Sequence, residues 1–400
     1  MYVFDPDPRI PTSEHSSVLK IYTSCHLGHS DIIIPATELI MRAIGNRDGR
    51  RSAPRCRRAT RQDRKRKRCT TDVNFAIEKR VITNQLHSMT EHSDLLDIVR
   101  RPISPDVRLE VQASRAEYEQ VLEILENEES EYPKLWYDGT RNVAIVVGPP
   151  SALHGKMAGG LLARIIREVS KQQGLSEEVK DSVTLSTEIG NTRGLTTRGW
   201  DGALLYQDGD RDILMIAVEI GVSQAYESLR AAISWSLCAL HCRVGIAMYI
   251  REGMRGQTPA LHYSSLEEED AAVAEAEEDF RDQLTEHLYG PLVRDGVTWF
   301  GPIKHVILET YRVQDEDLPP STLLDPSKSF TIVDSGEFVG HDVPPNLQEV
   351  VLGDCIPDHI LTGEAIVATP VNFFRRDWFE EQFRAGMVRT AGNRMRPRPE

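Results

Sequence analysis

No stretch of the 400-residue sequence reaches the run of about eighteen apolar residues that a membrane-spanning helix needs. The segment Met1 to Ser17 is polar and holds three prolines, which speaks against a secretory leader. Cysteine is sparse: Cys25, Cys56, Cys69, Cys238, Cys242 and Cys355 show no paired framework, so a reducing intracellular compartment is the expectation. Glycine-rich phosphate loops of the Walker or dinucleotide type are missing. There is no internal repeat and, apart from two charge runs, no low-complexity tract.

What is present is unevenly charged. The net charge is −14, yet residues 47–68 hold twelve Arg/Lys against two acids, a local +10 that leaves −24 on the remainder. An acidic chain is a poor nonspecific partner for nucleic acid, because phosphate is met by positive charge. Any DNA or RNA contact therefore needs a focused basic surface. The run Arg64-Lys65-Arg66-Lys67-Arg68 reads as a nuclear-entry or phosphate-contacting cluster, with a solvated linker or a mistranslated stretch of gene as equal alternatives. Nuclear is thereby slightly favoured over cytoplasmic.

Periodicity divides the chain. Residues 1–113 show no lasting period and are expected to be poorly ordered. A helix is predicted over 114–131, where Tyr118, Val121, Leu122 and Leu125 recur at helical spacing. A folded α/β domain is expected over 132–315. Lys134 to Tyr137 and Val143 to Val147 flank Asp138-Gly139-Thr140 as a hairpin. Ser151 caps a helix with Leu153, Met157, Leu161, Ile165 and Val169 on its apolar face, and Gly159 and Gly160 are expected to let that helix approach a sheet. Strands follow at 182–189, 200–206 and 213–218, then a helix at 224–239 and a buried strand at 244–250. The order is αβββαβ, a mixed central sheet flanked by helices. Residues 267–282 carry nine acids against one base and read as a solvated helix or acidic linker. Residues 316–400, rich in proline, read as a loosely structured extension.

The chemistry is expected at two acids. Asp201 begins the second of the three strands and Glu219 ends the third, and both are equidistant from the polar turn at Gln207 to Asp212. In an antiparallel hairpin they face each other, with Cβ atoms about 4.5–5.5 Å apart. Two carboxylates so placed repel unless a cation bridges them or one keeps its proton. Mg²⁺ suits such a pair, because it takes one or two carboxylates plus phosphate oxygens. Strand ends also carry acids as mere solvated caps. Here Glu219 follows the apolar run Leu214 to Val218, where an unpartnered charge is costly.

This order of elements, with Trp200-Asp201-Gly202 on one strand and Glu219-Ile220-Gly221 on the next, resembles the core of the PD-(D/E)XK, or restriction-endonuclease-like, superfamily. The pieces Tyr137-Asp138, Pro150-Ser151, His154, Glu219 to Gln224, Leu229 and Trp235 resemble uncharacterised fungal members. The resemblance covers residues from about 135 to 255. It implies an Mg²⁺-dependent phosphodiesterase, a nuclease acting on DNA or RNA, with Asp201 and Glu219 as metal ligands. Two positions depart from it: Trp200 replaces the motif proline, and Gly221 replaces the motif lysine. Gln224 or Arg230 is then expected to position water or phosphate, although arginine is permanently charged and cannot act as a base. The alternative is a catalytically inactive descendant that binds nucleic acid or protein.

Other candidates are weaker. His154 opens a helix, where a histidine is more often structural. Glu168 stands where some members of the superfamily complete the metal site, but a surface partner for Arg164 or Lys171 is the blander account. Cys238 and Cys242 flank His241 at a helix end and read as buried apolar residues rather than ligands. Cys56 and Cys69 lack zinc-module spacing.

Overall fold

The computed structural model describes residues 94–397 apart from 129–132, 187–189, 223, 255–258, 260, 314–317 and 341–347. The basic run at 47–68 lies outside the described residues. The described chain opens with α1 (Leu95–Val99), β1 (Arg108–Gln112) and α2 (Arg115–Asn127), then the hairpin β2 (Lys134–Asp138) and β3 (Val143–Val147). Next come α3 (Ala152–Ser170), α4 (Glu177–Asp181), β4 (Val183–Ser186), β5 (Gly190–Arg193), β6 (Thr196–Gly199), β7 (Gly202–Asp208) and β8 (Arg211–Val222). Helix α5 (Tyr226–Leu240) leads to β9 (Val244–Glu252), α6 (Leu266–Glu286), β10 (Leu292–Arg294), β11 (Val297–Phe300) and β12 (Ile303–Tyr311). The chain continues through β13 (Lys328–Asp334), β14 (Glu337–Phe338), α7 (Leu352–Cys355) and α8 (Glu364–Val367) to α9 (Arg376–Met395).

Two sheets organise these elements. The larger runs β14-β13-β12-β9-β8-β7-β4, and the smaller β1-β3-β2-β6-β5. The larger sheet is mixed: β8 and β9 are parallel while β7–β8 and β9–β12 are antiparallel. Helices cover both of its faces, so the α/β expectation holds. Ile216, Val218, Ile220 and Val222 of β8 turn to the core shared with α3, α6 and α9. Ala217 turns to the other core, shared with Leu229, Ile233 and Leu237 of α5. That two-sided burial explains why β8 reads as an unbroken apolar run.

The smaller sheet is amphipathic. Leu135, Tyr137, Ala144 and Val146 pack with Tyr118, Val121 and Leu125 of α2 in a separate core. The alternate positions Arg108, Lys134 and Trp136 turn to the opposite face, as the period of two requires. The hairpin β5–β6, inserted between β4 and β7, joins this smaller sheet through β6. The chain therefore crosses from one sheet to the other at Gly199-Trp200-Asp201. Trp200 anchors the crossing: it is buried, and its indole Nε1–H donates to Ser236 Oγ.

Several expectations need correction. The described residues between 318 and 397 are not a loose extension. Helix α9 spans twenty residues and buries Phe379, Phe383, Met387, Ala391 and Met395, a stripe stepping by four. It approaches α3 closely: a Cβ on Gly386 would come within 2.8 Å of Leu153 Cα. Residues 94–113 also fold, because β1 has β3 to pair with. Of the two readings of the acidic segment the helix holds: it is α6, solvated on one side only, with Val273, Ala276, Phe280 and Leu284 in the core. Gly160 does not serve an approach to a sheet. A Cβ there would meet Trp378, and a Cβ on Gly159 would meet nothing within 4 Å. Among the described residues, no helix is long and apolar enough to cross a membrane.

Candidate active site

The register of β7 and β8 decides where the two acids fall. Tyr206 faces Ile213 and Leu205 faces Leu214, but Leu204 faces Ile216, so Met215 is the extra residue of a bulge. Beyond it Gly202 faces Val218. Asp201, the residue before β7, lies one step further and so at the level of Glu219. Without the bulge Asp201 would face Val218.

Asp201 is held on both oxygens. Its Oδ2 accepts a hydrogen bond from the Ile220 amide at 2.6 Å. Its Oδ1 lies 2.9 Å from His154 Nε2. The other imidazole nitrogen, Nδ1, lies 3.2 Å from Oδ1 of Asp106. Asp106 is fixed in turn by the Ser151 amide, which donates to Oδ1 at 2.8 Å. Asp106 adopts a left-handed φ of +62°, a conformation that aspartate tolerates better than most residues. Ser151 also caps α3, its hydroxyl accepting from the His154 amide. The N-terminus of α3 thus delivers His154 between two carboxylates.

The charges follow from these contacts. Burial alone would strip the proton from His154, but the charge of Asp201 and the contacts with Asp106 and Asp201 outweigh it and hold its pKa well above the ordinary value. Burial alone would raise Asp201, yet the His154 charge and hydrogen bond, with the Ile220 amide, hold it below the usual carboxylate range. Glu219 behaves oppositely. It is 2% exposed, and its Oε1 has no hydrogen-bond partner. Burial, then the negative charge of Asp201, push its pKa up to about 8. The repulsion expected between the two acids is resolved by one of them keeping its proton. The charge of Arg108 on β1 works against that shift, ahead of His154 and Arg198.

These side chains line one cavity of about 140 Å³. Asp106, Arg108, His154, Asp201, Glu219 and Gln224 all reach its wall. Lys134 and Trp136 of β2 and the glycine face of α3, at Gly155 and Gly159, complete it. Among the described residues, no group of three or more His, Cys, Asp or Glu is arranged to hold a metal ion by itself. The donor set still suits a hard cation that completes its shell with water and phosphate: two opposed carboxylates, one with an orphaned oxygen.

Of the expected site residues, Asp201, Glu219, His154 and Gln224 converge here. Gln224 Nε2 donates to Ser228 Oγ at 3.1 Å, which fixes its amide at the wall. Arg230 does not line the cavity. Its guanidinium donates to Asp325 Oδ1 at 2.7 Å and to the Leu324 carbonyl. Glu168 is also elsewhere, paired with Lys171 at 2.6 Å and Arg164 at 3.3 Å. Gly221 is roofed by α5, and a Cβ there would come within 3.2 Å of Leu229 Cδ2. Asp138 is buried but satisfied. Burial raises its pKa, while Thr140, Arg141 and Arg198 together hold it at about 2. Cys238 and Cys242 are buried, and burial pushes the Cys242 thiol up to about 12, as expected of inert core cysteines.

The sequence reading missed Asp106, Arg108, Lys134 and Trp136. The signal for Arg108 was the alternation in Arg108-Leu109-Glu110-Val111-Gln112, a strand pattern inside a stretch that otherwise lacks period. The chain matches no family model, no curated protein and no solved structure.

Proposed function

We propose that this cavity is the active site of a divalent-metal-dependent phosphodiesterase acting on nucleic acid. The observation that carries the reading is Glu219, a buried carboxyl opposite Asp201 with one oxygen unpartnered inside a cavity that also holds Arg108. A folded chain does not keep an unsatisfied buried acid without cost. Such costs concentrate where a ligand supplies the missing partner. The order α3-β4-β7-β8-α5-β9, with one acid on β8 and the other just before β7, supports a restriction-endonuclease-like topology.

In this reading Asp201 and Glu219 hold Mg²⁺. When bound, the ion would supply a water nucleophile of lowered pKa and stabilisation for charge on phosphate. The protein's residues do the rest. Glu219 gives up its proton when the site is loaded. His154 donates to Asp201 and is itself oriented by Asp106, so the carboxylate is presented at one angle. His154 and Asp106 thus act as a rigid frame behind Asp201, as outer partners of a metal ligand do. Arg108 meets a non-bridging phosphate oxygen, and Gln224 orients the attacking water. Arg108 reaches the cavity from the smaller sheet, so the cation that the motif lysine would have supplied has another source.

A second reading, a nuclease fold that binds without cutting, is favoured by Gly221 lying under Leu229. The test is hydrolysis of plasmid DNA and of RNA by the full chain in Mg²⁺ or Mn²⁺. Cleavage that disappears in chelator and in Asp201→Ala and Glu219→Ala supports the enzyme. Nucleic-acid binding without any cleavage supports the second reading.

A further inference from the structure

The smaller sheet turns a selective set of residues to the acids. Arg108 on β1 and Lys134 on β2 both pair with Val147 on β3, so they flank it in one cross-strand row. Trp136 is two residues beyond Lys134 and so shares its face. All three line the cavity. Trp136 is only half-buried, although the odd residues around it are packed away. On another wall Gly155 and Gly159 lie one helical turn apart on α3, and a Cβ on either would enter open space. The result is a slot with an indole, two cations and a backbone-lined helix face, lined also by the Glu219 carboxyl with its unpartnered Oε1.

We infer that the slot takes one unpaired nucleotide of a single strand or strand end, stacking its base on Trp136 and holding its phosphates with Arg108 and Lys134. The ligand class rests on the nuclease reading above; the choice of an unpaired nucleotide rests on the slot. A base still paired in a duplex is stacked on both sides and cannot present its face to an indole inside the slot. Base stacking on an aromatic side chain tolerates any sequence, because every base has a π-face. The glycines leave room that any larger side chain would fill.

The test uses the full chain carrying Asp201→Asn and Glu219→Gln, which removes the acid charge and any metal-dependent cutting. Binding of a labelled single-stranded oligodeoxynucleotide, its oligoribonucleotide counterpart and a blunt hairpin whose stem carries that strand paired to its complement and whose loop is a non-nucleotide spacer is followed by fluorescence anisotropy. A single strand should bind roughly tenfold or more tightly than the hairpin. Adding Trp136→Ala should cost roughly tenfold or more in single-strand affinity, whereas Trp136→Phe should retain most of it. Equal binding of strand and hairpin, which needs no change at Trp136, overturns the inference. So does unaltered binding by a Trp136→Ala chain that melts normally, or no binding to either. Tight single-strand binding in a chain whose wild type never cuts removes the nuclease reading and leaves the slot. Equal cleavage of strand and hairpin with no effect of Trp136→Ala removes the slot and leaves the nuclease reading.

Discussion

At the scale of the residue, Glu219 sets the pH behaviour. Its folded pKa is about 8 against an ordinary 4.5. Between those values the unfolded chain has lost the proton while the folded chain keeps it. The folded state then binds more protons, and stability falls as pH rises through that window. Below about 4.5 the penalty is absent. Glu219→Gln keeps the shape and removes the titration. It should therefore raise stability near pH 8 by on the order of 2–4 kcal/mol, since each pKa unit is worth about 1.4 kcal/mol. The gain should shrink to nothing by about pH 4, as thermal melts of both proteins across pH will read. A variant no more stable than wild type at pH 8 would show that Glu219 is ionised in the folded chain. Millimolar Mg²⁺ should raise the melting temperature of the wild type and not of the variant, because a ligand stabilises only the state that binds it.

At the scale of the element, Gly221 is a packing position. Leu229 of α5 lies over it, so a lysine side chain at 221 must displace a fully buried leucine. Gly221→Lys should cost about 1–3 kcal/mol as an overpacked site, measured by urea unfolding. Combining it with Leu229→Ala should restore less than additive loss, because the two changes share one space. A Gly221→Lys chain that unfolds like wild type would mean that α5 yields freely. The hairpin β2–β3 and the buried strands β8 and β9 were legible because their signals are local: a turn dipeptide and unbroken apolar runs. The facing of Asp201 and Glu219 was legible from symmetry about the turn, but the bulge at Met215 that makes it true was not. Strand β1 was hidden because it pairs with β3 only after a helix has intervened, and no local turn announces it. Helix α9 was missed although Phe379, Phe383, Met387, Ala391 and Met395 step by four, since the prolines before it and the arginines around it suggested an open chain. The absence of Arg230 from the site was illegible for another reason. Its partner Asp325 comes from a loop far along the chain, and one turn of helix decides which way the guanidinium reaches.

At the scale of the whole molecule, charge is segregated: +10 over residues 47–68 and −24 on the rest. A run of twelve cations with almost no apolar residues offers little surface worth burying. Deleting residues 47–68 should leave cooperative melting by circular dichroism unchanged. It should also weaken nucleic-acid binding in proportion to the phosphates contacted, with the slope of log affinity against log salt falling by about one unit per lost contact. If the run serves nuclear entry instead, a tagged copy will move out of the nucleus while binding stays the same. Loss of cooperative melting would place the segment within the fold.

In the proposed function Asp201 and Glu219 together hold a divalent cation for phosphodiester cleavage. Its most direct test is isothermal titration of Mg²⁺ or Mn²⁺ into the full chain in buffers of different ionisation enthalpy near pH 7, run beside a cleavage assay on the same preparation. That function predicts one binding event that releases close to one proton, because burial keeps Glu219 protonated before the metal arrives. It predicts that Asp201→Asn and Glu219→Gln each abolish both the event and the cleavage. Metal binding and cutting that persist in the double variant, or a wild type that binds neither ion, would contradict it.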